Sequence, residues 1–350
     1  MSYSLIYPFV ILVSILVIGI MLVASRYMRE IRTARERLNS LNSRVIDTTC
    51  GPIEYLRIGE GYPLLVVHGA LGGFDQGLWL ARHMGHNISN LQVISVSRFG
   101  HLRSPVPAGA NLDLQADAFA CLLDALEIRQ AAVFAASGGS TPAIRFAARH
   151  PERVSALVLL CPDAPPGMPL PPRFVFDTLL RSDFLYWTLV TFFPKIVQNA
   201  TGMVPKGYVL TPVYEAVIKQ ILKGNFPVSN RIDGFIFETY TTADEFQASI
   251  AATSPYPLSK IETPVLVIHA LDDPITIPEN VRGLAERMPD ARLFVVPDGG
   301  HFFFGHNEEV KEEIARFLRS SVSELHSETL IHAGGLSNVH ANWFAHHYGQ

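Results

Sequence analysis

VFAASGGS, at Val133–Ser140, is the stretch of sequence that decides the fold. The apolar run Ala131–Ala136 predicts a buried strand, and the residues that follow the glycines have the apolar spacing of a helix. A sharp turn at Ser137 would bring this strand and this helix so close together that the positions two before and two after the serine must be small. Ala135 and Gly139 occupy those positions. The segment therefore predicts a strand, a tight turn that presents Ser137, and a helix.

The same alternation of elements continues on both sides of this segment. Seven short runs rich in β-forming residues predict strands at Ile53–Ile58, Leu64–Val67, Leu91–Val96, Ala131–Ala136, Ala156–Leu160, Val265–His269 and Leu293–Val296. Apolar residues at helical spacing predict helices at Leu112–Leu126, Thr141–His150, Pro278–Arg287 and Glu308–Leu318. Most of the strands are continuous apolar runs, which is typical of strands buried on both faces. The sequence thus predicts an α/β fold, with a mainly parallel sheet flanked by helices, over residues 45–320.

One insertion interrupts the alternation, at about residues 164–256, where helical patterns occur without a convincing strand. Loops at the carboxyl ends of parallel strands carry the functional site, so we expect a helical cap over that site. Within it, Phe184–Pro194 (FLYWTLVTFFP) is apolar nearly all round. Such a helix must be buried, line a pocket or rest on a membrane interface, and we expect pocket lining or core packing.

The N-terminal residues 1–25 predict a transmembrane anchor. Leu5–Ala24 is uncharged and about 20 residues long, enough to cross a bilayer core. No Lys or Arg precedes this run and no A-x-A site ends it, which disfavours a cleaved signal peptide. Five arginines follow it: Arg26, Arg29, Arg32, Arg35 and Arg37. The positive-inside rule then predicts a single-pass membrane protein with a cytoplasmic domain, joined by a solvated juxtamembrane helix or spacer at residues 26–44.

Composition argues against several other classes of partner. The net charge of −4, with no basic patch beyond the N-terminal segment, does not favour nucleic acid. Three cysteines without CxxC spacing predict buried free thiols, as in a reducing compartment: Cys50, Cys121 and Cys161. A metal site in the tail at residues 321–350, which lacks clear periodicity, would need histidines at ligand spacing with carboxylate or cysteine support, and we do not expect one there: His326, His332, His340, His346 and His347.

Two further residues complete a pattern suited to nucleophilic catalysis. A serine hydroxyl needs a base to remove its proton, and that base needs a third group to orient it. His301 lies in PDGGHFFF, just after the last predicted strand. Asp273 lies in VLVIHALDDPI, at the end of the preceding strand, with Asp272 beside it. The expected roles are therefore nucleophile for Ser137, base for His301 and orienting acid for Asp273.

Together with HGALGG at His68–Gly73, these motifs resemble the α/β-hydrolase superfamily over Ile53–Leu318. The resemblance implies an eight-stranded type of sheet and the triad order Ser, Asp, His. It also implies an oxyanion hole formed by the backbone N–H groups of Ala70 and Gly138. His68 itself is expected to be structural.

The resemblance also bears on which acidic residue orients His301 and on the place of a second histidine. The small-x-x-Asp pattern read from Ala270 selects Asp273 over Asp272. Some relatives supply the acid after the sixth strand, where Asp163 stands, and His306 is expected at the start of the last helix.

Two motifs depart from the family's pattern. Ala135 replaces the first glycine of G-x-S-x-G, and the loop SRFGHLRSP at Ser97–Pro105 has Ser97 and Phe99 where Asp and Gly are usual. No subfamily is therefore assigned.

The resemblance implies a serine hydrolase that acts on an ester-like, small-molecule acyl substrate and needs no cofactor or metal. An aromatic-rich cap and an anchor near the bilayer favour a hydrophobic ester. Peptidase, thioesterase and carbon–carbon bond hydrolase activities stay open, since pocket shape decides among them. The alternative from another class is a catalytically idle binding or scaffold protein, and the sequence does not predict the oligomeric state.

Overall fold

The computed structural model describes residues 3–84, 90–164 and 172–332, and contains an eight-stranded sheet. Its strands are β1 Arg44–Thr48, β2 Gly51–Ile58, β3 Tyr62–Val67, β4 Leu91–Val96, β5 Ala131–Ala136, β6 Val154–Leu160, β7 Val265–Ala270 and β8 Ala291–Val296. The order across the sheet is β1-β2-β4-β3-β5-β6-β7-β8, with β2 antiparallel to β1 and β4 and all other pairs parallel. The predicted α/β fold and its mainly parallel sheet are confirmed.

Strand β1 is the one strand that the sequence pattern does not predict. Its sequence, RVIDT, has no continuous apolar run, and most of its residues are exposed. It pairs with β2 through a tight turn and forms the edge of the sheet. An edge strand needs only one partner and little apolar surface, which explains the weak signal.

Helices cover both faces of the sheet. α3 (Leu112–Ala125), α4 (Ser140–Arg149) and α11 (Pro278–Glu286) pack on one face, and α2 (Phe74–Met84) and α12 (Asn307–His332) pack on the other. α12 continues beyond the predicted end at Leu318. The tail histidines His340, His346 and His347 lie outside the described residues.

The insertion between β6 and β7 is helical. It contains α5 (Arg173–Leu180), α6 (Asp183–Phe192), α7 (Pro194–Thr201), α8 (Pro212–Gly224), α9 (Ile232–Phe237), α10 (Ala243–Ile250) and a π-helical turn at Glu238–Thr242. No strand occurs among its described residues, 172–256. The cap has its own core, to which α6 contributes Tyr186, Trp187 and Val190. Core packing thus accounts for one side of the apolar segment Phe184–Pro194.

Helix α1 runs without interruption from Tyr3 to Ser40. It is long and apolar enough to cross a membrane, and the side chains of the apolar stretch that are described are exposed. The prediction of a solvated spacer at residues 26–44 is wrong for part of this segment, because Ile31 and Ala34 are buried in the core of the cap. Tyr27, Ile31 and Ala34 recur at helical spacing and form an apolar stripe between the arginines.

The cysteines also depart from expectation. Cys50, after β1, and Cys121, in α3, form a disulfide across 71 residues of sequence, with their Cα atoms 6.1 Å apart. The prediction of three free thiols holds only for Cys161, which is buried. Sequence spacing could not reveal this pair, because only the packing of α3 against β1 brings the two residues together.

Candidate active site

Ser137 lies at the junction of β5 and α4, in a short 3₁₀ turn. Its φ of 50° is unusual for a residue with a side chain, and such strain is often retained at functional sites. A methyl group on Gly139 would stand 2.3 Å from the His68 carbonyl oxygen. Position 139 therefore needs a residue without a side chain, because the backbone that follows β3 lies directly against it.

His301 and Asp273 are in direct contact. His301 lies in a glycine-rich turn after β8, and its Nδ1 is 2.8 Å from Asp273 Oδ2. Since the carboxylate only accepts, Nδ1 carries the proton and Nε2 is left as the basic nitrogen. This tautomer suits a general base.

Asp273 is held by backbone and side-chain donors. Its Oδ1 accepts from the amides of Ile275 (2.8 Å) and Thr276 (3.3 Å), and its Oδ2 accepts from Thr276 Oγ1 at 2.9 Å. Burial alone would raise its pKa, but the charge and hydrogen bond of His301 and the Ile275 amide outweigh burial and lower the pKa from 3.8 to about 2. Asp273 is thus a buried carboxylate at neutral pH.

The other acidic candidates have different partners. Asp272 accepts from the amides of Gly300 (2.8 Å) and Gly299 (3.2 Å), so it fixes the loop that carries the histidine. Asp163 lies near His301 and accepts from a neighbouring backbone amide, but burial raises its pKa. Among the described residues, the carboxylate hydrogen-bonded to the His301 ring is Asp273.

His306 is placed apart from this pair. It precedes α12, as expected, and its Nε2 is 2.9 Å from Asp298. Its Nδ1 contacts Glu309. Both carboxylates offset burial and raise the pKa of His306. These are surface ion pairs.

The loop after β3 lies against the serine. A Cβ placed on Gly69 would be 3.3 Å from Ser137 Cβ, and one placed on Gly138 would be 3.9 Å from the Ala70 backbone nitrogen. The two amides predicted for an oxyanion hole are therefore near neighbours. Gln76 Oε1 braces the loop by accepting from the Gly69 amide at 2.7 Å.

A buried polar layer supports this loop from behind. His68 Nδ1 donates to the Gly69 carbonyl at 2.7 Å, and its Nε2 accepts from the Arg98 amide at 3.1 Å. Arg98 Nη2 also donates to the Gly69 carbonyl, at 3.0 Å. Burial and the Arg98 charge hold the pKa of His68 well below its usual range, so His68 is a neutral structural residue, as the sequence suggests.

Glu238 is a site residue that the sequence did not reveal. It belongs to the π-helical turn of the cap, and its Oε1 is 2.5 Å from Arg98 Nη1. Its Oε2 would be 3.8 Å from a Cβ placed on Gly138. Burial raises its pKa to about 7, even though Arg98 acts in the opposite direction. No local motif marks Glu238, because only folding of the cap brings it to the oxyanion loop.

Cys161, at the end of β6, is the third group near the pair. Its Sγ donates to the His301 carbonyl at 3.3 Å and could converge with Asp273 and His301 on a metal ion. A metal ligand would be a thiolate. Burial and the Asp273 charge instead hold the pKa of this thiol well above its usual range. The cluster therefore fits a proton-transfer pair better than a metal centre.

Comparison with known proteins agrees with the fold. The sequence model of the alpha/beta hydrolase fold family matches residues 62–308, most of the chain. The chain belongs to the α/β-hydrolase family. The resemblance noted from the sequence motifs is thereby confirmed, and no subfamily is assigned.

Curated relatives of this α/β-hydrolase include a semialdehyde hydrolase and a depolymerase. It is 36% identical to 2-hydroxymuconate semialdehyde hydrolase of Pseudomonas sp. (strain CF600) over 104 residues, which are 29% of this chain and 37% of that one. It is 29% identical to the poly(3-hydroxyalkanoate) depolymerase of Ectopseudomonas oleovorans over 199 residues, 57% of this chain and 64% of that one. The matches span between 37% and 64% of the lengths of the first three curated relatives.

Solved structures share the fold over a longer range. An alpha/beta hydrolase fold protein from Nakamurella multipartita matches 79% of this chain and 99% of its own, with 28% identity and a TM-score of 0.64. A bacterial membrane phospholipase A matches 91% of this chain and 99% of its own, with 18% identity and a TM-score of 0.55.

Proposed function

We propose that this α/β-hydrolase is a membrane-anchored serine hydrolase that cleaves an ester-like acyl substrate through an acyl-enzyme. The observation that carries the proposal is the Asp273–His301 hydrogen bond, in a fold whose β5–α4 turn holds Ser137 at a φ of 50°. Hydrolysis by the family's members supports the general activity. The serine ester chemistry and the residue roles are our proposal.

In the proposed mechanism, His301 Nε2 takes the proton of Ser137 as the serine oxygen attacks the substrate carbonyl. The N–H groups of Ala70 and Gly138 stabilise the tetrahedral oxyanion. The imidazolium, paired with ionised Asp273, then protonates the leaving group, and the acyl-enzyme forms. Water adds to this ester in a second cycle, with His301 again as base, and releases the acid.

The anchor suggests a lipophilic substrate. Helix α1 passes the length and hydropathy requirement for a membrane span. A structural neighbour that shares the fold is a membrane phospholipase A, and a curated relative is a poly(3-hydroxyalkanoate) depolymerase. We infer that the substrate is a carboxylic ester with a long apolar part.

Two features bear on the side of the membrane. The arginines that follow the apolar run favour a cytoplasmic domain. The disulfide Cys50–Cys121 favours an oxidising compartment. Two of these arginines also have structural roles in the fold. Arg26 lies over the Trp187 ring, and Arg37 pairs with Asp75. We therefore propose the oxidising side, and the redox state of the cysteines tests this directly.

Product analysis with a graded ester series tests the activity. The purified full-length protein in detergent should release free acid and alcohol from acyl esters, with turnover rising with chain length. Ser137→Ala should release neither. No turnover by a folded wild-type protein on any ester would favour the idle binding or scaffold alternative.

Carbon–carbon bond hydrolysis is the second candidate, because 2-hydroxymuconate semialdehyde hydrolase is among the relatives. The same assay separates the two chemistries. Cleavage of a vinylogous diketone substrate, with esters left intact, would replace the ester proposal by this one.

A further inference from the structure

The cap carries an exposed apolar face beside the membrane-spanning helix. Helix α6 buries Tyr186, Trp187 and Val190 on one side. Other residues of α6 and the start of α7 leave large apolar side chains partly in solvent: Phe184 (43% exposed), Leu185 (39%), Phe192 (46%), Phe193 (48%) and Ile196 (62%). We call these five residues the α6–α7 face. Several large exposed apolar residues within one short stretch of chain are typical of an interaction surface.

The register of α1 fixes the level of this face. The uncharged run ends at Ala24, and Tyr27 follows about 4.5 Å further along the helix axis. The Tyr27 ring contacts Phe184 and Trp187, with centroids 5.2 and 5.5 Å apart. Helix α6 is therefore held at the point where the membrane-spanning part of α1 ends.

Arg26 marks the same level. Its guanidinium lies 5.9 Å from the Trp187 ring centroid and 5.7 Å from that of Phe192. An arginine among aromatic rings is typical of the boundary between the hydrocarbon core and the headgroups. The α6–α7 face thus begins where headgroups would be.

The cap cannot swing freely about α1. Lys223 of α8 pairs with Glu30 at 2.9 Å, and Arg37 donates to the Gly224 carbonyl at 2.9 Å. Arg37 also pairs with buried Asp75 at 3.0 Å, which itself holds Arg231 of the cap. These contacts tie α1, the cap and the sheet domain together. The position of the α6–α7 face relative to the membrane is therefore set by the fold.

Charge on the face also suits a bilayer surface. The single charged residue of α6, Asp183, is engaged by the amide and hydroxyl of Ser229. The single charged residue of α7 is Lys195, which is exposed next to Ile196 and suits anionic headgroups. Aromatic side chains flanked by a cation are the composition of segments that lie in the membrane interface.

We propose that the α6–α7 face inserts into the headgroup region of the bilayer that α1 spans, so that the cap is docked on the membrane. This inference rests on the proposed membrane anchor. It places this side of the cap against lipid rather than bulk water. The occupant of the face is the lipid surface itself.

Site-directed fluorescence tests the proposal on the full chain in phosphatidylglycerol-containing vesicles. Ile196→Cys and Leu16→Cys are labelled with an environment-sensitive dye, and Val295→Cys on β8, itself 37% exposed, is the matched control. Wild-type protein serves as the control for background labelling, because its cysteines are disulfide-bonded or buried. Nitroxide lipids should quench the probes at 16 and 196 about twofold or more and leave that at 295 unchanged.

The outcomes separate the anchor from the docked cap. Quenching at 16 without quenching at 196 keeps the anchor and overturns the docked cap. No quenching at either position overturns both. A probe at 196 that is shielded from water but shows energy transfer between copies, without lipid quenching, assigns the face to a second copy of the chain.

A functional arm uses Phe193→Glu/Ile196→Glu, which lies outside the catalytic machinery. Because charge on the face opposes insertion, turnover of an ester embedded in vesicles should fall about tenfold, while a soluble short-chain ester in detergent is hydrolysed as before. Equal effects on both substrates, or no effect on either, would contradict the proposal.

Discussion

The sheet side and the cap side of the site are built in different ways. Ser137, Asp273 and His301 each follow the end of a strand; the Ile275 amide holds Asp273, and the Asp272 carboxylate holds the loop of His301 through the Gly300 amide. Glu238 reaches the site from the cap, through an ion pair with Arg98. The residues that we propose for the chemistry are positioned by the ends of the strands. Glu238, by contrast, is positioned by the packing of the cap helices against the sheet domain.

The largest expected effect is on the sheet side. Asp273→Asn should lower kcat about 10⁴-fold, because an amide no longer selects the Nδ1–H tautomer of His301 or stabilises its charged form. Steady-state kinetics on the preferred ester measures this. Asp272→Asn is the matched control and should lose far less activity, since Asp272 accepts from the Gly299 and Gly300 amides of the loop and not from the His301 ring. The reverse ranking would assign the acid's role to Asp272.

A second pair of variants tests how closely the serine turn packs against the end of β3. Gly139→Ala should lower the free energy of unfolding by about 3 kcal/mol, because its methyl group would meet the His68 carbonyl oxygen at 2.3 Å. Gly138→Ala is the control, since its nearest neighbours would be 3.8 Å away. Denaturant unfolding compares the two. Equal stability would show that the turn is looser than described.

The disulfide tests how the sheet edge is secured. Cys50→Ser should reduce the free energy of unfolding by about 2–4 kcal/mol, because it opens a loop of 71 residues. Alkylation of protein trapped directly from cells should modify Cys50 and Cys121 only after reduction. Modification without reduction would contradict both the disulfide and the proposed oxidising side of the membrane.

The cap side should show a smaller, pH-dependent effect. Burial raises the pKa of Glu238 from 4.5 to about 7, so the folded state binds a proton more tightly than the unfolded state. Wild type should therefore lose stability as pH rises from about 4.5 to 7, by roughly 2–3 kcal/mol. Glu238→Gln should lack this loss. If stability changed with pH in the same way in both proteins, the Glu238 carboxylate would be exposed to solvent and not buried.

The same division explains what could be predicted from sequence. Most of the seven predicted strands are recognisable because buried parallel strands are continuous apolar runs, and the triad candidates follow the ends of three of them. β1 was missed because an exposed edge strand has little pattern. Glu238, the disulfide and the docking of Ile31 depend on contacts between distant segments, which local periodicity cannot encode.

Covalent labelling with a fluorophosphonate tests the central proposal most directly. The full-length protein is solubilised, treated with the probe, digested and analysed by mass spectrometry, with Ser137→Ala and His301→Ala in parallel. We predict one phosphonylated peptide, modified at Ser137, in wild type and none in either variant. A folded wild-type protein that stays unlabelled, or labelling that persists in Ser137→Ala, would contradict Ser137 as the nucleophile.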